Sequence, residues 1–178
     1  MRFLSLGLVA LAPVALRAAD TPALPAGLYT LDRASLRAFE DALAKAGRQV
    51  PALQRSAVLR RLRERLDPPA EIALESSESG WALRLGDHRF PPLQPGAAPV
   101  AWTGKDGQKA HVSLRWRDRR LEQSLASGDR ARLSAFSFDP AEKVLRLEIQ
   151  AHGSQLPQPV AFALRYLPAA NLGSGDRR

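Results

Sequence analysis

The chain has 178 residues, with 26 Lys and Arg against 18 Asp and Glu and a formal net charge of +8. That length holds one domain with a real core and gives no reason for two. The absence of cysteine excludes disulfides, thiolate metal sites, a cysteine nucleophile and a lipid-modified cysteine.

The first element in chain order reads as an export leader. Arg2 precedes an apolar run from Phe3 to Leu16, and Arg17-Ala18-Ala19-Asp20 follows. A basic tip, a short apolar stretch and small residues at its end make a secretory signal peptide over residues 1–18. The run falls short of the roughly 20 apolar residues a spanning helix needs, which weighs against the alternative of an uncleaved anchor. A domain exported without disulfides must rely on its core, which fits a periplasmic or secreted bacterial protein. Beyond the leader the charge stays basic. Export argues against a nucleic-acid partner, ordinary solubility is the simpler account, and peripheral contact with anionic envelope lipids stays open.

The domain proper is read over residues 19–168. Two prolines make Asp20–Ala26 an extended lead-in, and Gly27–Leu31 is a short candidate strand. Asp32 then suits a helix N-cap, with Leu31 and Leu36 placed as a hydrophobic staple. Leu36, Phe39, Leu43 and Ala46 share one helical face near residues 33–46, and Gly47 supplies the stop. A second helix is expected over 52–66, with Leu59, Leu62 and Leu66 inward and Arg55, Arg60, Arg61, Arg63 and Arg65 decorating it. Asp67-Pro68-Pro69 ends it.

From Glu71 the period changes to two. Ile72 and Leu74, then Trp81, Leu83 and Leu85, alternate with polar or small residues. So do Val112, Leu114 and Trp116; Leu121, Gln123 and Leu125; Leu145, Leu147 and Ile149; and Val160, Phe162, Leu164 and Tyr166. Each segment reads as a strand with one dry face. Four prolines make residues 91–110 largely loop, with a short edge strand at Val100–Thr103. Over 130–138 the alternation slips. Ala131, Leu133 and Ala135 fall on one face but Phe136 and Phe138 on the other, which suggests a bulge or a strand apolar on both faces. Residues 169–178 read as a disordered tail.

The fold class expected is mainly β: an antiparallel up-and-down barrel of eight to ten strands with a helix pair after the first strand. That order of one strand, two helices and a run of strands resembles the fatty-acid-binding proteins, a branch of the lipocalin-like (calycin) barrels, and poorly characterised bacterial exported lipocalin-like domains. Gly27-Leu28-Tyr29 approximates the Gly-x-Trp of lipocalins. The resemblance implies a small apolar or amphipathic ligand inside the barrel. Its carboxylate-holding Arg-x-Tyr on the last strand is not reproduced, because Arg165 and Tyr166 are adjacent and the pleat points them to opposite faces.

No enzymatic chemistry is legible. His88, His111 and His152 are scattered without metal-ligand spacing, and Gly-x-Ser-x-Gly and phosphate-binding Gly loops are absent. No cofactor is expected. The reading is of a monomeric binding protein whose barrel is lined by Trp81, Leu83, Leu114, Trp116, Gln123, Phe162, Leu164 and Tyr166. Arg55, Arg60 and Arg61 are the candidates for greeting an anionic head group. An eight-strand barrel is also the size at which side chains fill the interior, so the alternative is a packed barrel acting as a cell-envelope structural or interaction module with anionic partners.

Overall fold

The alternating segments form one continuous antiparallel sheet in the computed structural model, which describes residues 24–105, 107–154 and 156–169. The leader over residues 1–18 and the tail beyond Ala169 lie outside the described residues. Ala169 itself belongs to the sheet end, not to a tail: its amide donates to the Leu28 carbonyl at 2.8 Å.

Ten strands follow in chain order: β1 (Gly27–Leu31), β2 (Glu71–Ser77), β3 (Gly80–Leu85), β4 (His88–Arg89), β5 (Val100–Thr103), β6 (Lys109–Arg117), β7 (Arg120–Ser127), β8 (Arg130–Asp139), β9 (Val144–His152) and β10 (Val160–Pro168). Between β1 and β2 lie α1 (Leu36–Arg48) and α2 (Ala52–Leu66). The order across the sheet is β4-β3-β2-β1-β10-β9-β8-β7-β6-β5, so the first and last strands meet in its middle. This is a mainly β, antiparallel up-and-down architecture with a helix pair after the first strand.

Register builds the interior in layers. Trp116, Leu121, Phe136, Leu147 and Leu164 stand side by side across five strands; Leu114, Gln123, Ser134, Ile149 and Phe162 form the next layer; Val112, Leu125, Arg132, Ala151 and Val160 the one after. Most of these side chains are fully buried. Strand β8 runs through these layers without a bulge, in continuous register with both neighbours. The slip in its pattern has another cause. Ser134 and Arg132 point inward with Phe136, while Leu133 and Ala131 take the outer face.

Closure is incomplete at the backbone. β4 and β5 are the two ends of the sheet and share no ladder. The Trp102 ring stacks on Phe90 at 4.7 Å and meets His88 at 5.9 Å across this seam. Farther along, Trp81 meets Trp116 edge to face, and Leu93 exchanges backbone hydrogen bonds with Trp81. The proline-rich loop therefore acts as a seam filler.

The helices sit over one end. Asp32 caps the first turn by accepting from the Ala34 amide, and the Ser35 hydroxyl accepts from the Arg165 amide, fixing α1 on β10. Phe39, Leu43 and Ala46 are buried, with Phe39 against Phe162. α2 is held more loosely: Val58 and Leu66 are buried, Leu59 and Leu62 half-buried, and Leu53 98% exposed.

Candidate functional site

The layers are not all filled. Where the layer of Leu125, Arg132 and Ala151 faces α2, a cavity of about 390 Å³ opens, within the usual range for small-ligand sites. Leu125, Arg132 and Ala151 make its floor. Leu62 and Leu66 of α2, Phe90, Trp102 and Leu156 make apolar walls. Arg61, Glu64, Arg65, Gln108, Asp129, Arg130, His152 and Ser154 ring the mouth. Within that ring Arg130 pairs with Asp129 at 3.6 Å, and a hydrogen bond with Ser154 holds the Asp129 carboxyl below its usual range. A second cavity of about 340 Å³ lies along the seam, bordered by Arg84, Asp87, His88, Arg89, Trp102 and Lys105.

Arg132 is the unusual member. Its Nε is sealed from solvent and has no hydrogen-bond partner. Burial pulls the guanidinium below the ordinary arginine range. Among the described residues no carboxylate lies within ion-pair distance of it. Several outward-facing arginines on the strands do have carboxylate partners: Arg115 pairs with Glu122 at 2.6 Å, Arg120 with Glu148 at 2.6 Å, and Arg165 with Asp32 and Glu142. A buried charge left unpaired is costly, and the effective penalty for one ion is several kcal/mol.

Beneath Arg132, Gln123 and Ser134 face each other across β7 and β8, each only 1% exposed. Both amide atoms of Gln123 and the Ser134 hydroxyl are sealed without partners.

The residues expected to line a cavity lie deeper or to one side. Leu83, Leu114, Leu164 and Tyr166 are buried members of the hydrophobic core. Phe162 is covered by Phe39, Trp81 and Trp116 sit against each other, and Gln123 lies one layer below the cavity floor. None of these eight borders the cavity. Of the expected head-group residues, Arg61 reaches its mouth, while Arg55 and Arg60 are exposed on α2. Arg165 and Tyr166 do diverge: Arg165 is on the surface and Tyr166 donates its buried hydroxyl to the Pro69 carbonyl at 3.0 Å. Sequence reading missed Arg132 itself. Its signal was parity, since Arg132 and Ser134 fall in step with Phe136 and Phe138.

The cavity thus lies between the Leu125–Arg132–Ala151 layer and α2. No protein-family model matches the chain, and no curated protein matches it in sequence. Solved structures resemble its path at low identity. Fatty-acid-binding protein 1 of Echinococcus granulosus is 8% identical, covering 82% of this chain and 97% of its own, with a TM-score of 0.47. A Schistosoma mansoni fatty-acid-binding protein in complex with arachidonic acid is 10% identical over 84% and 99%, with a TM-score of 0.49. Human cRBP IV is 14% identical over 83% and 100%, with a TM-score of 0.45. The likeness is one of fold.

Proposed function

We propose that this is a binding protein that holds a small amphipathic anion in the cavity under α2. The apolar part packs against Leu62, Leu66, Phe90, Trp102, Leu125 and Leu156, and the anionic head pairs with Arg132. The Arg132 guanidinium at the cavity floor, with its Nε sealed and unpartnered and no carboxylate in ion-pair range among the described residues, carries this reading. An anion seated there gains a charge-assisted, bidentate partner in a site of low dielectric. The hollow under α2 favours this over a wholly packed envelope module, and the groups around it suit holding a ligand, not converting one.

Export to the periplasm or outside the cell is part of the proposal and rests on the Arg2 to Ala19 pattern. N-terminal sequencing of the protein recovered from its host checks it: a mature start near Ala19 supports export, and an intact Met1 opposes it. Peripheral contact with anionic lipid is proposed from Arg55 and Arg60, which stand exposed on α2 beside Leu53. Sedimentation with anionic but not zwitterionic vesicles supports that contact.

Ligand binding is tested by titrating tetradecanoate and tetradecanol into the full protein by calorimetry, with Arg132→Gln alongside. The acid should bind and the alcohol bind much more weakly, and Arg132→Gln should erase the difference. Equal affinities in the native protein would overturn the role of Arg132.

A further inference from the structure

Resting on that reading, we infer that the ligand is anionic at both ends, with Arg132 taking one head at the floor and Arg61 and Arg65 of α2 taking the other at the mouth. The observation is the charge balance of the cavity. Four arginines border it, Arg61, Arg65, Arg130 and Arg132, against two carboxylates, Glu64 and Asp129. Asp129 is already engaged with Arg130 and Ser154. With the histidines neutral this lining keeps a net charge of +2. A single carboxylate on Arg132 neutralises only half of it.

Arg61 and Arg65 stand one helical turn apart on the side of α2 that presents Leu62 and Leu66 to the cavity. Side chains four residues apart on a helix are neighbours, and like charges there repel. Among the described residues no carboxylate, Glu64 included, comes within ion-pair distance of either arginine. Arg63, which does not border the cavity, pairs with Glu40. Helix polarity favours a cation in the last turn, which accounts for Arg65 but not for Arg61 a turn earlier. An anion placed between the two turns their repulsion into charge-assisted contacts.

Position separates the two heads. Arg132 belongs to the floor, Arg61 and Arg65 reach the mouth from α2, and Leu62, Leu66, Phe90, Trp102 and Leu156 form the apolar walls. A compact double charge such as a phosphate monoester would sit in one place and leave the other cations uncovered. A straight apolar chain with a carboxylate at each end covers both and packs its methylenes on the walls. The second head lies among exposed side chains, where ion pairs are weak, so it contributes less than the first.

The test titrates the even series of straight-chain dicarboxylates from octanedioate to tetradecanedioate into the full protein by calorimetry at low salt. Each is compared with its own monomethyl ester, which has the same chain and one charged end. At the best-fitting length the diacid should bind about fivefold tighter than the ester, the worth of one or two exposed ion pairs. The double variant Arg61→Gln, Arg65→Gln should bring the two within about twofold of each other, chiefly by weakening the diacid. Arg37→Gln, an exposed change on α1 away from the cavity, should keep the preference. If the esters bind and no length of diacid binds tighter, the inference falls while Arg132 keeps its role. If Arg37→Gln removes the preference as fully as the double variant, the preference comes from overall charge and the inference falls. A stronger preference for dodecyl phosphate than for any diacid would put both charges at one end and overturn it. If neither esters nor diacids bind, the amphipathic-anion reading falls with it.

Discussion

The Trp102 indole donates to the Arg89 carbonyl at 2.8 Å, joining β5 to β4 where the two ends of the sheet share no ladder. The same ring stacks on Phe90 and walls the cavity, so one side chain both closes the seam and borders the proposed site. Trp102→Ala should therefore speed ligand release and lower stability by about 2–3 kcal/mol, less than a fully buried tryptophan because this one is half-buried. Trp102→Phe keeps the stacking and loses the hydrogen bond, at about 1 kcal/mol. Stopped-flow displacement of a fluorescent fatty acid and urea unfolding report the two effects. Unchanged release from Trp102→Ala would mean the ligand leaves elsewhere.

Arg132→Met should stabilise the ligand-free protein by about 1–3 kcal/mol, because it replaces a partly buried charge with no ion-pair partner by an apolar chain of similar length. The urea midpoint should rise without ligand and lose its response to added fatty acid. A fall in the ligand-free midpoint would make Arg132 a structural residue.

Alkaline titration probes Tyr166. Burial, with the nearby charge of Asp67 adding to it, raises its phenol well above the ordinary value of 10.0. Burial likewise raises Tyr29. Above pH 10 the unfolded chain releases these protons while the folded chain retains them. Their contribution is therefore complete below pH 10 and drains away as pH climbs beyond it. The urea midpoint should fall above pH 10, and more gently in Tyr166→Phe. That variant starts about 1 kcal/mol lower at pH 7, because the Pro69 carbonyl loses its donor. Identical alkaline slopes would remove Tyr166 from this account.

Two backbone positions should respond in opposite directions. A Cβ on Gly80 would lie 2.3 Å from the Leu93 carbonyl oxygen, at a φ of +116°. Gly80→Ala should cost about 2–4 kcal/mol and break the exchange of hydrogen bonds between Trp81 and Leu93. Arg119, in the tight turn between β6 and β7, holds a φ of +62°. Arg119→Gly should relieve that strain and stabilise by about 1 kcal/mol. Urea unfolding of both variants is the check.

Much of the fold was legible because Leu114, Leu147, Leu164 and their neighbours keep strict two-residue alternation, and because Asp32 and Pro68 mark helix ends; Gly47, expected to stop α1, lies buried inside it, and the helix runs on to Arg48. The seam was harder to read. Leu93 and Trp102 act through single long-range contacts inside a proline-rich stretch that no period describes. The site was least legible for a physical reason. In the first half of β8 the rule reverses, with Arg132 and Ser134 inside and Leu133 outside. A pattern that equates apolar with inward reads that reversal as irregular backbone. The reversal marks the lining of the candidate site, where chemistry replaces packing.

β1 lies between β2 and β10, so the earliest strand of the domain waits for the latest before its second edge is covered. Hairpins such as β6–β7 can zip as they are made, but the midline of the sheet stays unsewn until the final nine-residue strand arrives. Such a chain joins its ends slowly. Until then its sheet exists as two unjoined halves, β4 to β1 and β9 to β5.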